Sequence, residues 1–419
     1  MRRIYFDYAA STPVDPEVLK EINSNLRNNF GNPGSLHYFG QTAMATVDKS
    51  REAIAKAIGA EFREIVFTGS ATEANNMALR GAVKFFSVNA PAGYFPRQAV
   101  FGRKTLPLRI IVSSIEHESI LETARDLGKE GIEVIYLPVD KNGVVDLKKL
   151  EKSLNERTIL VSVMYANNET GVIQPIAEIA EIIKKFKEKK YPKPCTLNPT
   201  PYFHTDAVQA FQFLDCLPAG DVPKGHDINN VGVDLMTLSA HKIYGPKGIG
   251  ALYVRNLQPT TYNLQPIITG GKQEFGLRSG TENIAAIAGF AKAIELADKK
   301  RQKEKKRIFL LSQYFFKEIK KIVPSAQLNA AQAERLPNIL NINFIGYDAE
   351  SLLIKFDLNG IAVSRGSACM TRSSQSSYVL KEMGLSEDQQ RSSLRFSFGR
   401  FTTGEEMSIA LKIIKKILK

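Results

Sequence analysis

The chain has 419 residues, of which 43% are hydrophobic and 24% are charged. That length is enough for two or three domains with buried cores, so the composition excludes an intrinsically disordered chain. The three cysteines, Cys195, Cys216 and Cys369, are too few and too scattered for a disulfide framework or a thiolate metal site. We therefore expect no metal centre and a reducing, cytoplasmic environment.

The formal net charge is +13, which could favour acidic partners, nucleic acid or anionic cofactors. Much of the excess lies in basic runs at 184–190, 299–307 and 412–419, which are typical of solvated helix faces. Aromatic residues do not interleave with these runs, which disfavours direct binding of nucleic acid. The N-terminus lacks the apolar region of a signal peptide, and no stretch is apolar enough to span a membrane. We therefore expect a soluble protein without a membrane partner.

Short β-branched runs alternate with longer amphipathic stretches along roughly the first 295 residues. This alternation predicts an α/β domain with a mainly parallel sheet. The predicted strands are 64–68, 109–114, 133–138, 158–165, 202–206, 234–239 and 250–254. The predicted helices lie near 40–58, 72–86, 118–130 and 175–190.

The pattern changes after about residue 295. A charged helix near 296–320 precedes short strands at 339–345 and 393–398 and a closing amphipathic helix. We therefore predict a large α/β domain and a smaller α+β domain that carries Cys369. The predicted bounds are 13–295 for the large domain, 1–12 and 296–419 for the small one, and 87–108, 191–201 and 217–231 for surface insertions.

Ligands of parallel sheets bind at the carboxyl ends of the strands, and two predicted ends carry reactive side chains. The strand at 234–239 runs into a glycine-rich turn with Lys242. A lysine amine is the usual covalent partner of a carbonyl cofactor, although most such lysines are merely solvated. The strand at 202–206 ends in Asp206, followed by Gln209. A carboxylate there suits a pyridinium nitrogen, and a helix N-cap is the alternative.

Three further strand ends could provide a phosphate site and ring contacts. Small residues at 69–72 end a strand and begin a helix, where backbone N–H groups and the hydroxyls of Ser70 and Thr72 can bind phosphate. His117 follows another strand, although a lone histidine is more often structural. The segment 167–169, Asn-Asn-Glu, follows a third. Together the five strand ends describe a site for pyridoxal phosphate.

Cys369 lies in SRGSACMTR, at 364–372, among small, polar and basic residues. A structural cysteine normally lies among apolar side chains, so this pattern indicates a reactive thiol on a loop. Positive charge from Arg365 or Arg372 would favour the thiolate form.

The chain resembles the cysteine desulfurases, which are pyridoxal-phosphate enzymes of fold type I in the class V aminotransferase superfamily. The resemblance runs from position 5 to position 403, in the family's order. The loop around Cys369 is similar to the longer form, found in the group used for iron–sulfur clusters and tRNA thiolation. The matching stretches are YFDYAASTPVDPEV, FGNPGSLH, EIVFTGSATEANN, EHESI, ANNETGVIQPI, HTDAVQA, SAHKIYGPKGIGALYV, LRSGTEN, GSACM and SLRFSFGRFTT.

The resemblance implies a role for each matching residue at the cofactor. Lys242 would hold pyridoxal phosphate covalently, and Asp206 would pair with its ring nitrogen. His117 would stack on the ring and help to move protons. The other implied cofactor-binding residues are Ala71, Thr72, Asn168, Gln209, Ser239, His241 and, from a neighbouring subunit, Thr281. The contribution from a neighbouring subunit implies a homodimer.

The resemblance also implies the reaction. L-cysteine would give alanine and a persulfide on the catalytic Cys369, for delivery to a sulfur-acceptor protein of unknown identity, either a cluster scaffold or a tRNA-thiolation enzyme. Asn32, Asn168 and Arg395 would bind the substrate, since a guanidinium fork matches a carboxylate. The alternatives are a selenocysteine lyase, a direct C–S lyase or aminotransferase of the same fold, and a basic adaptor protein without activity.

Some positions depart from the family pattern. The common SGATE reads GSATE, with Gly69 and Ser70 exchanged, and the usual SGHK reads SAHK. Arg365 stands where serine is frequent, and the stretch TGGKQEFG lacks the family's common histidine. The chain stops at Lys419, without the tail that docks the scaffold protein in housekeeping members. We therefore expect scaffold docking to differ.

Overall fold

A computed structural model describes residues 3–89, 107–190, 201–214, 232–257, 264–366 and 376–418. All three cysteines and most of each predicted insertion lie outside these ranges. The predictions for Cys369 and Arg372 therefore concern residues outside the described part of the chain.

Seven strands form the large sheet, in the order β2-β8-β7-β6-β5-β3-β4. These strands are β2 (Ile65–Thr68), β3 (Arg109–Ser113), β4 (Glu133–Leu137), β5 (Thr158–Ser162), β6 (Tyr202–Asp206), β7 (Leu235–Ser239) and β8 (Gly250–Val254). Neighbours pair in parallel except at β8, which is antiparallel to both β2 and β7. The predicted strands are thus present with small shifts at their ends, and the mainly parallel α/β fold is confirmed.

Every residue of β5, β6 and β7 is buried. Strands that are covered on both faces consist of apolar runs rather than alternating patterns. The helices within the described residues are α1 (Pro16–Asn28), α2 (Tyr38–Ile58), α3 (Ala71–Asn89), α4 (Glu118–Lys129), α5 (Leu147–Ser153), α6 (Ile176–Lys190), α7 (Ile284–Ile322), α8 (Ala349–Leu358), α9 (Tyr378–Glu382), α10 (Glu387–Arg391) and α11 (Gly404–Leu418). Helices α1 and α5 were not predicted, although Asp15 and Asp146 cap their N-termini.

Helix α7 is continuous over 39 residues. It begins at Ile284, well before the predicted start near 296, because its first turns are buried almost all round and show no amphipathic period. The predicted boundary between the domains falls inside this helix. The division into two domains stays a prediction.

The basic run at 299–307 is not a solvated face throughout, and in this respect the prediction was wrong. Arg301 is buried, with its guanidinium carbon 5.3 Å from the ring centroid of Phe211. Glu304 is also buried and accepts hydrogen bonds from Arg400 and Gln212. The run therefore anchors α7 to neighbouring segments as well as contributing charge.

Two small sheets complete the fold. Strands β9 (Gln327–Leu328), β10 (Ile339–Asn343) and β12 (Ser393–Ser397) form an antiparallel sheet, in the order β12-β10-β9. Strand β1 (Ile4–Tyr5) pairs in parallel with β11 (Ile361–Ala362). This pairing brings the N-terminal segment beside the C-terminal strands, where Asp7 bridges Ser397. Within the described ranges, no helix combines the length and apolarity needed to cross a membrane.

Candidate active site

A cavity of about 350 Å³ lies at the carboxyl ends of the parallel strands and the N-terminus of α3. This volume is in the range of small-molecule sites. The predicted site residues that line it are Ala71, Thr72, His117, Asn168, Asp206, Gln209, Ser239, His241, Lys242 and Arg395. Asn32 and Thr281 do not line the cavity, and both are exposed in this chain.

Lys242 ends a single 3-10 turn, Ala240–Lys242, that follows β7. Its Nζ donates hydrogen bonds to the carbonyl oxygens of Ala9, at 2.6 Å, and Ala10, at 2.7 Å. Two residues later Tyr244 has a φ of 68°, a left-handed conformation that is strained for a bulky residue. The buried Tyr244 hydroxyl accepts from the backbone N–H of Arg400 at 2.5 Å and stabilises this turn. The amine is therefore held in place before any ligand binds.

Asp206 ends β6, and its carboxylate is largely buried. Oδ1 accepts from the backbone N–H of Val208 at 3.0 Å, and Oδ2 accepts from Nδ2 of Asn75 at 2.8 Å. Turns rather than a helix follow at 208–213, so the N-cap alternative is not supported. Each carboxylate oxygen has a second lone pair, which leaves capacity for a ligand N–H.

The N-terminus of α3 shows why glycine and serine are exchanged in GSATE. Ser70 Oγ accepts from the backbone N–H of Glu73 at 3.1 Å and so caps the helix. The Gly69 N–H donates to Glu73 Oε2 at 2.8 Å, and Glu73 Oε1 accepts from Arg278 at 2.8 Å. A Cβ atom at position 69 would lie only 2.9 Å from Glu73 Oε2. Glycine at 69 therefore leaves room for the ion pair that supports the helix N-terminus.

Two histidines border the cavity, and both have a lowered pKa. Burial lowers the pKa of His117, the Lys242 ammonium adds to this effect, and Asp206 opposes it. Burial, together with Lys242 and Lys247, lowers the pKa of His241 to about 4. Both imidazoles are thus neutral near pH 7.

Arg395 lies in β12 and is only 1% exposed. Its Nη1 donates to the carbonyl oxygen of Asn168 at 2.8 Å, and its Nη2 pairs with Asp7 Oδ1 at 2.8 Å. The side-chain oxygen of Asn168 and Nε of Arg395 are buried, and neither has a hydrogen-bond partner among the described residues. A donor and an acceptor thus remain available beside the cavity.

The chain's own features fit pyridoxal phosphate. The lysine amine and the buried carboxylate line one cavity, as the carbonyl and pyridine nitrogen of this cofactor require. The N-terminus of the 19-residue helix α3 provides backbone N–H groups for a phosphate. A Cβ atom at Gly250 would lie 3.0 Å from the Ala71 nitrogen, so only glycine lets β8 pack against this helix start.

Sequence reasoning missed other residues that line the cavity, notably Asn75, Ser119 and Lys247. Asn75 lies one helical turn after Ala71 and therefore on the same face of α3. Ser119 follows His117 by two positions at the start of α4. The helical spacing from Ala71, at the predicted phosphate site, is the signal that could have identified Asn75.

Comparison with known proteins agrees with this geometry. The family Aminotransferase class-V matches residues 4–91 and 101–409. The chain is 40% identical over 418 residues to the cysteine desulfurase IscS of Dictyoglomus turgidum. This alignment covers 100% of this chain and 95% of that relative. It is 39% identical over 412 residues to the cysteine desulfurase IscS of Rickettsia africae. This alignment covers 98% of this chain and 90% of that relative.

Solved structures give the same result. A NifS-like protein superposes with a TM-score of 0.84 at 33% identity and covers 99% of both chains. SspA in complex with cysteine superposes with a TM-score of 0.74 at 31% identity and covers 95% of this chain and 99% of SspA. The chain therefore belongs to the class V aminotransferase family, among its pyridoxal-phosphate-dependent cysteine desulfurases.

Proposed function

We propose that this desulfurase converts L-cysteine into alanine and leaves the sulfur on Cys369 as a persulfide. The observation that carries the proposal is the arrangement of the Lys242 amine, the Asp206 carboxylate and the Arg395 guanidinium around one cavity. The complex of the relative SspA with cysteine supports cysteine as the substrate. When bound, pyridoxal phosphate supplies the electron sink that makes the substrate Cα–H acidic.

The cavity residues divide the work of binding and proton movement. Lys242, Asp206 and Gln209 hold the cofactor ring, and the start of α3 holds its phosphate, with Ser239 and His241 beside it. Arg395 would bind the substrate carboxylate, because its Nε is an unused donor, and the unused side-chain oxygen of Asn168 would accept a hydrogen bond from the substrate amine. Neutral His117 is able to accept a proton, which suits it to move protons at the substrate.

The sulfur transfer balances with one protein thiol. The Cys369 thiolate attacks the substrate sulfur, so that an S–S bond forms as the substrate Cβ–S bond breaks. The electron pair of the broken bond stays with the substrate carbon skeleton, which takes up protons and leaves as alanine. A direct C–S lyase would need no such thiol.

The variant Cys369→Ser tests this proposal. It should keep full binding of pyridoxal phosphate, judged by the visible absorbance of the bound cofactor, but it should form no alanine and no persulfide. Cys216→Ser is the matched control and should still form both alanine and the persulfide. Alanine and sulfide formation at a normal rate by Cys369→Ser would instead establish the direct lyase.

We also propose that the chain works as a homodimer. An exposed apolar surface, formed by Leu26, Phe30, Leu36, Tyr38 and Phe39, supports a second copy as its partner. The Phe30 and Phe39 rings contact each other in a tilted arrangement, with 5.1 Å between centroids, and Leu36 is 90% exposed. Apolar surfaces of this kind usually mark interfaces. In such a dimer the exposed Thr281 would reach the phosphate of the other subunit.

Mixed dimers of Lys242→Ala and Thr281→Ala chains test this arrangement. If Thr281 acts across the interface, one of the two sites in each mixed dimer carries both changes and the other carries neither. Cofactor retention and activity should then recover to about half of the wild-type value. If Thr281 acts within its own chain, each site carries one change, and no intact site forms.

The sulfur acceptor follows from the same proposal. We infer that the persulfide serves a cytoplasmic acceptor protein, either an iron–sulfur scaffold or a tRNA-thiolation enzyme. Capture of partners from the cell extract of the source organism by the persulfidated enzyme, with Cys369→Ser as the control bait, identifies the acceptor. Recovery of the same proteins by both baits would count against a sulfur-dependent partner.

A further inference from the structure

The amide of Asn75 connects two residues on different elements of the cavity wall. Asn75 is completely buried on α3. Its Nδ2 lies 2.8 Å from Oδ2 of Asp206, at the end of β6, and 2.8 Å from Oγ of Ser119, at the start of α4. Oγ of Ser119 lies 2.9 Å from Nδ1 of His117. One continuous series of hydrogen bonds thus joins the carboxylate to the imidazole.

The direction of these hydrogen bonds follows from the chemistry of the groups. A carboxylate only accepts, so the amide must turn its NH₂ group and not its oxygen towards Asp206. The second N–H of that group donates to Ser119 Oγ, which leaves the hydroxyl proton available for another acceptor. The backbone N–H of Ser119 also points to His117 Nδ1, at 3.1 Å. Nδ1 therefore carries no proton, and the serine hydroxyl can donate to it.

We infer that Asn75 is a positioning residue that ties Asp206 to His117 through Ser119 and, together with the backbone N–H of Ser119, holds His117 as the tautomer with its proton on Nε2. The inference rests on the proposed function in that Asp206 and His117 serve the cofactor ring. Asn75 itself would touch neither of the atoms that react. Its contribution is to reinforce Nε2 as the nitrogen of the imidazole that exchanges protons in the cavity.

The charged groups around His117 come from several elements. Asp206 faces it from β6, Lys242 and His241 from the segment after β7, and Glu118 from its own helix. Burial is the main cause that lowers the pKa of His117. Nδ1 also accepts hydrogen bonds from two donors, which disfavours its protonation, as burial does. Loss of the donor from Asn75 would let Ser119 Oγ turn a lone pair towards Nδ1, so that the imidazolium form is better tolerated.

The test uses the cofactor-free protein with ¹⁵N-labelled histidine. In the wild-type protein, NMR should show His117 with its proton on Nε2. Asn75→Leu removes the amide at similar volume, and it should raise the titration midpoint of His117 by roughly one pH unit. The matched control is Asn76→Leu, because the Asn76 amide contacts Thr72, Arg80 and Thr123 rather than this series. It should leave His117 unchanged.

The Ser119→Ala background separates positioning from general packing. Asn75→Leu should no longer move the His117 midpoint there, because the connection through Oγ is already broken. An equal shift in both backgrounds, or no shift in either, overturns the inference. Asn75→Ala takes the place of Asn75→Leu if the leucine variant does not fold.

Cofactor binding gives an independent measurement. Asn75→Leu should weaken the affinity for pyridoxal phosphate by about tenfold, since one hydrogen bond to the Asp206 carboxylate is lost. Unchanged affinity would contradict the link to Asp206. A wild-type protein that takes up no pyridoxal phosphate would instead contradict the proposed function, while the NMR result would still decide the role of Asn75.

Discussion

The cavity and the exposed apolar surface around residues 26–39 differ in how far one chain completes them. At the cavity, Lys242 and Asp206 are already held by short hydrogen bonds at the ends of buried strands. On the apolar surface, Phe30 is 72% and Tyr38 is 75% exposed, and nothing in the described part of the chain covers these rings. One chain thus positions the residues proposed to make the covalent and ring contacts of the cofactor, whereas Asn32, beside these rings, remains outside the cavity.

The difference reflects how each region is built. Parallel strands fix their carboxyl ends relative to one another, so residues that directly follow them have little freedom. The segment between α1 and α2 lies outside the strands, and its Asn32 side chain accepts a local hydrogen bond from the backbone N–H of Gly34. Residues at the strand ends should respond strongly to substitution, and residues between α1 and α2 should respond to the presence of a partner.

Lys242→Ala should have the largest effect, because no other amine is held at the same position. We expect loss of covalent cofactor and of all alanine formation, measured by absorbance after borohydride treatment and by alanine release. Lys247→Ala removes another lysine of the cavity lining and should keep the covalent cofactor. Desulfuration that survives in Lys242→Ala would overturn the assignment of the anchor.

Arg395→Gln should have the second-largest effect. The loss of a charge-assisted hydrogen bond to the substrate carboxylate predicts a KM for cysteine that rises about 10- to 100-fold, with a smaller change in kcat. Removing one partner of a buried ion pair also destabilises the fold by about 3–5 kcal/mol, measured by urea unfolding. Asp7→Asn is the control, since it removes the competing carboxylate and should not raise KM. A KM unchanged in Arg395→Gln would assign this arginine to structure alone.

The sequence supported the prediction of the large sheet and of about half of the cavity lining. The strands are dense in β-branched residues, and the functional residues follow them directly, so that local pattern and final position coincide. Asn75, in contrast, reaches Ser119 and Asp206 across 44 and 131 positions of sequence. Contacts of this kind depend on how α3 packs against the sheet, which no local pattern reveals.

The buried part of the basic run in α7 was missed for a similar reason. Arg301 and Glu304 read as members of a solvated series because their neighbours in sequence are lysines. Their partners, Phe211 and Arg400, come from distant segments. Charge density along a sequence does not distinguish a solvated side chain from one paired across the fold.

Gly69→Ala should have an intermediate effect on the cavity. The added methyl group would contact Glu73 Oε2 and weaken its bonds to the Gly69 N–H and to Arg278. We expect a loss of about tenfold in cofactor affinity, equivalent to about 1.4 kcal/mol. Gly404→Ala is the control, because a Cβ atom there would meet nothing within 4 Å. Equal affinity in both variants would show that the ion pair does not support the phosphate site.

Buried and exposed histidines can be compared directly in the pH dependence of stability. Burial lowers the pKa of His204, within the sheet, to about 3, and burial with two lysines lowers that of His241 to about 4. Below pH 6.5 the unfolded chain binds protons at these residues and the folded chain does not. The free energy of unfolding should therefore fall as pH falls from 6.5 towards 4, by about 1.4 kcal/mol per pH unit for each such histidine.

Glu116 acts in the opposite direction and must be separated from this effect. Burial raises the pKa of its carboxyl group, so the folded chain holds that proton more tightly and stability falls as pH rises above 4.5. The variant His204→Gln isolates the histidine, because Glu116 contributes equally to it and to the wild-type protein. Its plot of unfolding free energy against pH, from urea titrations between pH 4.5 and 6.5, should be less steep. The comparison variant is His37→Gln, which removes an exposed histidine at the N-terminus of α2, where its Nδ1 accepts a hydrogen bond from the backbone N–H of Gly40. Identical slopes for His204→Gln and the wild-type protein would mean that His204 takes up its proton inside the folded sheet.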